Sequence, residues 1–438
     1  MPTHFDFKIA VRALQSRNYR LFFAGQSISL IGTWMTRIAT SWLVYRLTDS
    51  ALLLGVSGFA GQIPAFFLAP VAGVWIDRWD RHRTLVVTQI LSMVQSFALA
   101  ALALSGRINI WWIILMVLFQ GLINAFDMPA RQAFVIEMIE RRADLGNAIA
   151  LNSSMVNGAR LVGPAIAGLV IAAMGEGYCF LIDGISYIAV VISLLAMRLP
   201  KVRAPRTEKR VHQELAEGWR YIVESPVIRS ILTLLALLSL IAMPYTVLMP
   251  IVAGQVLHGG AHTLGFLMGA SGVGALISAI SLVLRKSVLG LGRMIALSAG
   301  LFGAGLMLLS TSRILWLSLA LMVVTGFGMM QQLAASNTIL QTVVADDKRG
   351  RVMAFYTLAV LGVTPIGSLC AGIAAASIGA PATLFCGGAC CIAGAIWFAR
   401  RLPELRRVIR PLYRKLGILP ELATGVQSAS ALQAPPEA

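Results

Sequence analysis

Long apolar stretches alternate with short polar ones along almost the whole chain. Each apolar stretch runs for about 20 residues, the length a helix needs to cross a hydrocarbon core roughly 30 Å thick. A segment in lipid must satisfy its own backbone hydrogen bonds, and a helix does so within itself. We therefore predict twelve transmembrane helices, at 21–45, 52–76, 84–104, 108–128, 148–173, 178–197, 227–252, 264–284, 291–309, 314–332, 352–378 and 382–399.

The composition agrees with a lipid-embedded fold. Of the 438 residues, 58% are hydrophobic and 13% are charged, whereas a soluble domain is about 45–50% apolar and about 25% charged. The first apolar stretch is too long for a secretory signal, and no small-residue cleavage site follows it, so we expect a retained helix. The prediction is an all-α membrane protein.

The net charge of +17 would suit a nucleic-acid partner if the basic residues formed one patch. They do not. Of the 36 lysines and arginines, two lie deep inside predicted helices (Arg37 and Arg160) and three in the first, third and ninth loops (Arg46, Arg107 and Arg313). All the others lie before the first helix, in or beside even-numbered loops, or after the last helix, which is the positive-inside pattern.

This pattern predicts an inner cell membrane protein with both termini and the central loop in the cytoplasm. It argues against a nucleic-acid partner. The basic loops, and the basic tail that follows residue 400, are expected to rest on anionic lipid. The last residues, 429–438, are expected to be disordered.

A polar, basic segment divides the chain into two sets of six helices. The predicted units are a cytoplasmic segment at 1–20, a first bundle at 21–198, a central loop at 199–226, a second bundle at 227–400 and a tail at 401–438. Within the central loop, 214–223 has the character of a surface helix.

The two sets resemble each other. A shift of 204 residues superimposes four glycine pairs and one basic pair without a gap: Gly146 and Gly350, Gly163 and Gly367, Gly168 and Gly372, Gly175 and Gly379, and Arg81-His82 and Arg285-Lys286. Such a repeat predicts two pseudo-symmetric bundles, a known plan of secondary transporters.

The loop between the second and third helices is unusually charged. It reads GVWIDRWDRHRT from Gly73 to Thr84. The stretch resembles the signature loop of the major facilitator superfamily, in which Gly, three residues and Asp-Arg precede a basic run. The matching residues are Gly73, Asp77, Arg78, Arg81 and Arg83, whereas Asp80 stands where the family usually has glycine.

The resemblance implies the twelve-helix fold of that superfamily and a gate that closes the cytoplasmic side. Asp77 would face the positive N-terminal end of the eleventh helix, which begins near Arg351. Arg81 would pair with an acid at the cytoplasmic end of the fourth helix, and Asp127 is the predicted partner. The alternative is a topological anchor without a role in gating.

The fifth helix carries a second family feature, NGARLVGPAIAG, at 157–168. It resembles the antiporter motif of drug and solute exporters, with Gly163, Pro164 and Gly168 matching and Ala159 in place of a glycine. The resemblance implies that this element packs against the other half and blocks leak. Ordinary close packing of small residues is the alternative.

Three further stretches, at 18–34, 124–134 and 145–153, resemble the exporter branch that includes the enterobactin exporter and related efflux proteins. Drug–proton antiporters usually carry an arginine on the fourth helix, three residues before Gln-Gly. Here Gln120-Gly121 is present and the arginine position is Val117. Proton coupling through that arginine is therefore not available.

Ionisable residues inside a membrane are costly and usually functional. Arg160, in the middle of the fifth helix, would face the interior, with a substrate anion or an acid as its partner. Arg37 would either take part in function or extend to the interface. Asp183 would either titrate or simply be solvated at a helix end. Asp127 and Glu137 suit the gate better than a carrier role.

Polar residues deep in apolar helices are candidates for lining a cavity between the halves. They are Gln26, Thr33, Gln62, Asn124, Asn152, Asn157, Tyr245, Gln331, Gln332 and Tyr356. Individually, each is as often a helix–helix hydrogen bond as a ligand. The five cysteines suit packing better than metal binding, because no further ligands lie near them.

No phosphate-binding loop, nucleophile elbow, zinc helix or CxxC pair occurs in the sequence. We therefore predict neither an enzyme nor a cofactor or metal site. The prediction is a monomeric secondary transporter that exports an amphiphilic small molecule, driven by protons. The alternatives are an importer or facilitator of the same fold, and a membrane sensor or scaffold that does not transport.

Overall fold

The computed structural model describes residues 12–76, 78–198, 211–285 and 288–415. Within these ranges the chain forms helices and connecting turns, without a strand, which confirms the predicted all-α fold. The first half contains six long helices: α1 (Arg17–Thr48), α2 (Ala51–Ile76), α3 (Arg81–Leu104), α4 (Ile110–Phe134), α5 (Leu145–Met174) and α6 (Glu176–Leu195).

The second half begins with a linker helix, and two of its spans are each divided into two helices. The elements are α7 (Val211–Glu224), α8 (Pro226–Ile241), α9 (Tyr245–Ile251), α10 (Ala261–Val283), α11 (Leu291–Thr311), α12 (Leu315–Val343), α13 (Asp346–Thr357), α14 (Thr364–Ile378) and α15 (Ala380–Lys415). The predicted surface helix at 214–223 lies within α7. The last helix continues well past residue 399, and residues 416–438, including the stretch expected to be disordered, lie outside the described residues.

Eleven spans in the described chain are long and apolar enough to cross a membrane. The remaining predicted span, the first at 21–45, corresponds to α1, which has 32 residues and four arginines, and these lower its mean hydropathy. Its length still exceeds the roughly 20 residues that a crossing requires. The twelve predicted spans therefore all correspond to helical segments.

The seventh and eleventh spans were each predicted as one continuous helix, and both are broken. In the seventh, a turn ending at Pro244 separates α8 from α9, and a π-helical turn follows at Val252–Val256. In the eleventh, a π-helical turn at Leu358–Gly362 lies between α13 and α14. Proline lacks the backbone N–H that would continue the helix, and π-turns often lie at functional sites.

The two bundles meet along two lines of small residues. A methyl group on Gly265 of α10 would come within 2.8 Å of the Cα of Gly168 on α5. A methyl group on Gly55 of α2 would come equally close, at 2.8 Å, to the Cα of Gly372 on α14. We call these contacts the α5–α10 seam and the α2–α14 seam. Gly168 and Gly372 are one of the pairs related by the 204-residue shift, so the repeat is present in the packing as well as in the sequence.

Both seams lie toward one side of the membrane. We call the side that carries the even-numbered loops the basic side. The C-terminal ends of α5 and α14 and the N-terminal ends of α2 and α10 all lie on the opposite, non-basic side. There Gln255 also donates a hydrogen bond to Asp49 across the two halves, at 3.0 Å. In this conformation the bundles are thus joined on the non-basic side.

Candidate transport pathway and gate

The charged loop between α2 and α3 lies on the basic side. Gly73 is in the last turn of α2, and Asp77 lies outside the described residues. The Asp80 carboxylate accepts a hydrogen bond from the backbone N–H of Arg83 at 3.0 Å and so caps α3. Arg78 and Arg83 are exposed. The residue that departs from the family pattern therefore has a local structural role.

Arg81 pairs with Glu137. Its guanidinium nitrogen lies 2.8 Å from Glu137 Oε1, and both side chains are less than one-third exposed. Glu137 belongs to a short 3-10 segment, Val135–Met138, that follows α4. This contact joins two elements of the first bundle on its basic side.

The prediction that Arg81 pairs with Asp127 is wrong, because the acid that Arg81 contacts is Glu137. Asp127 is 4% exposed and lies inside the first bundle. Thr88 and Gln89 of α3 donate hydrogen bonds to its Oδ1 at 2.8 and 2.7 Å, and Arg131, one turn further along α4, pairs with its other oxygen. Because these donors already surround Asp127, it holds α3 to α4 within the bundle instead of meeting the loop.

The start of α13, where the signature aspartate was expected to dock, contacts the linker helix. Arg351 lies 2.6 Å from Glu217 of α7. The ammonium of Lys348 lies 4.7 Å from the centre of the Tyr221 ring. The linker helix is thereby attached to the second bundle on the basic side.

The antiporter-like motif lies where α1, α5 and α10 meet. A methyl group on Gly163 would come within 2.5 Å of the Cβ of Trp34 and 3.1 Å of the carbonyl oxygen of Ile31. On the neighbouring face of α5, the carbonyl oxygen of Pro164 lies against Gly265. The motif glycine thus lets α1 approach α5 closely, while the next residues form the seam with the other half.

The side chains of two arginines lie near the same indole ring at this junction. The guanidinium carbon of Arg37 lies 5.3 Å from the centre of the Trp34 ring, and that of Arg160 lies 5.8 Å from it. Both distances are within the range of cation–π contacts. Arg37 is exposed and Arg160 half-buried in the protein surface. Within the part of the chain that the structure describes, neither guanidinium forms an ion pair or a hydrogen bond.

Asp183 lies two turns into α6 and is 1% exposed, so it is not at a solvated helix end. Its Oδ2 accepts hydrogen bonds from Thr36 of α1 and Ser96 of α3, each at 2.8 Å. Its Oδ1 is buried without a hydrogen-bond partner. The nearby titratable groups are on its own helix: Tyr187, which lies 3.3 Å from Thr33, and Cys179.

The polar residues predicted to line a cavity fall into two groups. Gln26, Tyr245, Gln331 and Gln332 are buried, whereas Thr33, Gln62, Asn124, Asn152, Asn157 and Tyr356 retain accessible surface. Two of the buried side chains make hydrogen bonds between helices of the second bundle: Tyr245 shares one with Ser271 at 2.9 Å, and Gln331 accepts one from Ser278 at 2.6 Å. Those two contacts are helix–helix hydrogen bonds, the alternative to lining a cavity that the sequence left open for each residue.

Sequence reasoning missed several residues at the junction. Trp34 was part of an apolar stretch, and only the structure shows that two arginines lie near its ring. Gly265, Gly269 and Gly272 of α10 repeat at three- and four-residue spacing, which is the small-residue pattern of a close helix contact. That spacing was a usable signal for the seam, since all three glycines lie near α5.

Comparison with known proteins agrees with this geometry. The family described as transmembrane secretion effector matches residues 10–414. The Staphyloferrin A transporter of Staphylococcus aureus is 26% identical over 394 residues, covering 88% of this chain and 97% of that protein. The multidrug efflux pump Tap of Mycolicibacterium fortuitum is 26% identical over 364 residues, covering 80% of this chain and 88% of that protein.

Among solved structures, a bacterial homologue of the iron transporter ferroportin in an inward-facing state superimposes with a TM-score of 0.68. The match covers 88% of this chain and 98% of that one, at 15% identity, and shows the shared fold. Because the family match extends over most of the chain, this protein belongs to the transmembrane secretion effector family of the major facilitator superfamily, and is a multi-pass membrane transporter, not an enzyme.

Proposed function

We propose that this transporter exports an amphiphilic small molecule from the cell by alternating access, driven by protons. The observation that carries the proposal is the junction of α1, α5 and α10, where charged and aromatic side chains lie beside a seam between the two halves. Relatives with efflux in their names support the direction of transport. The positive-inside pattern supports a cytoplasmic position for the basic side and both termini.

Alternating access requires that contacts on one side of the membrane break while those on the other side form. The two glycine seams and the Asp49–Gln255 contact close the non-basic side. In this conformation the signature loop makes its contacts within the first bundle, through Arg81 and Glu137. We propose that the loop, with Asp77, forms the cytoplasmic gate when the basic side closes, and that basic residues on that side rest on anionic lipid.

Asp183 is our candidate for the proton carrier. It is a buried carboxylate that receives only hydroxyl donors from α1 and α3, and its Oδ1 has no partner. An acid in that position can take up a proton on the bare oxygen and release it when the helices rearrange. Thr36 of α1 donates a hydrogen bond to Asp183, and the next residue of α1 is Arg37. The proposed proton carrier and one arginine of the pair are thus linked through the same helix.

The test compares metabolites in the medium of three strains: one lacking the gene, one overexpressing the protein, and one overexpressing Asp183→Asn at equal abundance. We expect compounds that follow the level of the wild-type protein and fall at least about tenfold in the Asp183→Asn strain, as for loss of an essential carrier. Glu404→Gln, which changes an exposed acid of α15, is the matched control and should export normally.

An identified compound is then tested in vesicles of known orientation with an imposed pH gradient. Accumulation that follows the proton gradient supports proton-driven export. Transport in the opposite direction would make the protein an importer, and unchanged medium in all strains would favour a sensor or scaffold. Full proton-driven export by Asp183→Asn would refute the role of Asp183.

A further inference from the structure

The arginine pair at the junction differs from three other arginines of the first bundle, which each have an acid partner. Arg46 lies 2.9 Å from Glu176, and Arg81 and Arg131 each have an acid partner as well. Arg37 and Arg160 instead both lie near the ring of Trp34, and no carboxylate of the described chain pairs with either. Two like charges inside the span of a membrane are costly unless an opposite charge meets them.

The pair lies beside the contact between the two bundles, where substrate sites of secondary transporters are found. The carbonyl oxygen of Arg160 would lie 3.1 Å from a methyl group on Gly272, so this turn of α5 touches α10 of the other half. Arg37 lies one turn beyond Trp34 on α1, and its side chain is accessible. The two guanidiniums therefore lie beside the boundary between the bundles and have unused donors. Arginine presents its donors as a planar fork that suits carboxylates and phosphates.

We propose that Arg37 and Arg160 bind two anionic groups of the exported molecule, such as two carboxylates, with Trp34 against the apolar part between them. This inference rests on the proposed function and names its substrate class. Each guanidinium carbon lies within 5.8 Å of the same ring centre. The two guanidinium carbons are therefore no farther apart than the sum of 5.3 and 5.8 Å, an upper limit within which both can contact the two carboxylates of one small molecule. The bound molecule then supplies the negative charge that the described protein does not place beside these two arginines.

The experiment measures binding by calorimetry to the purified full-length protein in lipid nanodiscs. The probes are suberate, an eight-carbon dicarboxylate, and its monomethyl and dimethyl esters, which differ in charge but share one skeleton. We expect suberate to bind at least about tenfold more tightly than the monoester, since a charge-assisted hydrogen bond is lost with each ester. The dimethyl ester should bind most weakly.

Variants test whether Arg37 and Arg160 are the residues that bind the two carboxylates of suberate. Arg37→Gln and Arg160→Gln should each lower suberate affinity to about that of the monoester on the wild-type protein, and should leave little difference between suberate and monoester. Arg107→Gln removes one charge from an exposed loop position and should bind suberate like the wild type. Arg37→Lys, which keeps the charge, should lose less affinity than Arg37→Gln if both fold.

Equal binding of suberate and its dimethyl ester to the wild-type protein would overturn the proposal without any variant. So would undiminished suberate binding by folded Arg37→Gln and Arg160→Gln. If the wild-type protein exports compounds but does not bind suberate, the proposed anion site is refuted and the proposed function stands. Dicarboxylate binding in a protein that changes no compound in the medium would support the site and refute export.

Discussion

Replacing Gly168 by alanine should shift the transporter away from the conformation that is closed on the non-basic side. The added methyl group would lie 2.9 Å from the carbonyl oxygen of Ala261 and 3.0 Å from the Cα atoms of His262 and Gly265. All three are backbone atoms of α10, so no side chain can rotate out of the way. The α5–α10 seam must widen to accept the methyl group.

The size of the shift caused by Gly168→Ala depends on which conformation contains the strained α5–α10 seam. Overpacking by a methylene-sized group costs about 1–3 kcal/mol in a well-packed region. The seam exists in the conformation closed on the non-basic side, and it opens when that side opens, so the cost falls on one state only. A differential of that size changes the ratio of the two states by about fivefold to 150-fold.

Distances between spin labels on the basic side measure this shift. Labels at Glu140 and Gln341 occupy exposed positions in the first and second bundles, in a background without the native cysteines. Gly168→Ala should increase the population of short distances, because the basic side closes as the seam opens. Gly158→Ala is the matched control on the same helix, since nothing lies within 4 Å of a methyl group there. Equal distance distributions for the two variants would refute the reasoning.

Three further predictions concern single contacts. Glu137→Gln removes an acid partner of the signature-loop residue Arg81 and should reduce export per transporter about fivefold, the equivalent of about 1 kcal/mol. Glu140→Gln should have no effect, and equal export by both variants would contradict the gate. Tyr245→Phe loses the buried hydrogen bond to Ser271 and should lower the free energy of unfolding by about 1 kcal/mol with export per folded molecule unchanged; normal stability with lost export would place this tyrosine on the pathway. Glu217→Gln should loosen the linker helix and speed its cleavage in limited proteolysis, and an unchanged cleavage rate would show that the ion pair does not hold it.

The sequence predicted the helices and their repeat because both depend on short-range patterns. A run of apolar residues decides that a span exists, and glycines at one offset identify the duplicated bundle. The acid that meets Arg81 was not predictable in the same way. Asp127 and Glu137 are ten positions apart on neighbouring elements, and only the packing of α3 on α4 shows that Asp127 is already enclosed. The breaks in the seventh and eleventh spans likewise depend on local backbone turns, which hydropathy does not report.

The arrangement of α5 suggests how binding and conformational change are connected. Gly163 packs against Trp34 within the first bundle, whereas Gly168, little more than one turn away, packs against the second bundle. In the alternating-access cycle proposed above, rocking of the bundles would open the second contact and leave the first intact. Arg37, Trp34 and Arg160 would then move together, and an anion bound to them as proposed would stay with the first bundle. The change would be in the wall that α10 provides beside Arg160, so opening the seam would expose the bound molecule without first breaking its ion pairs.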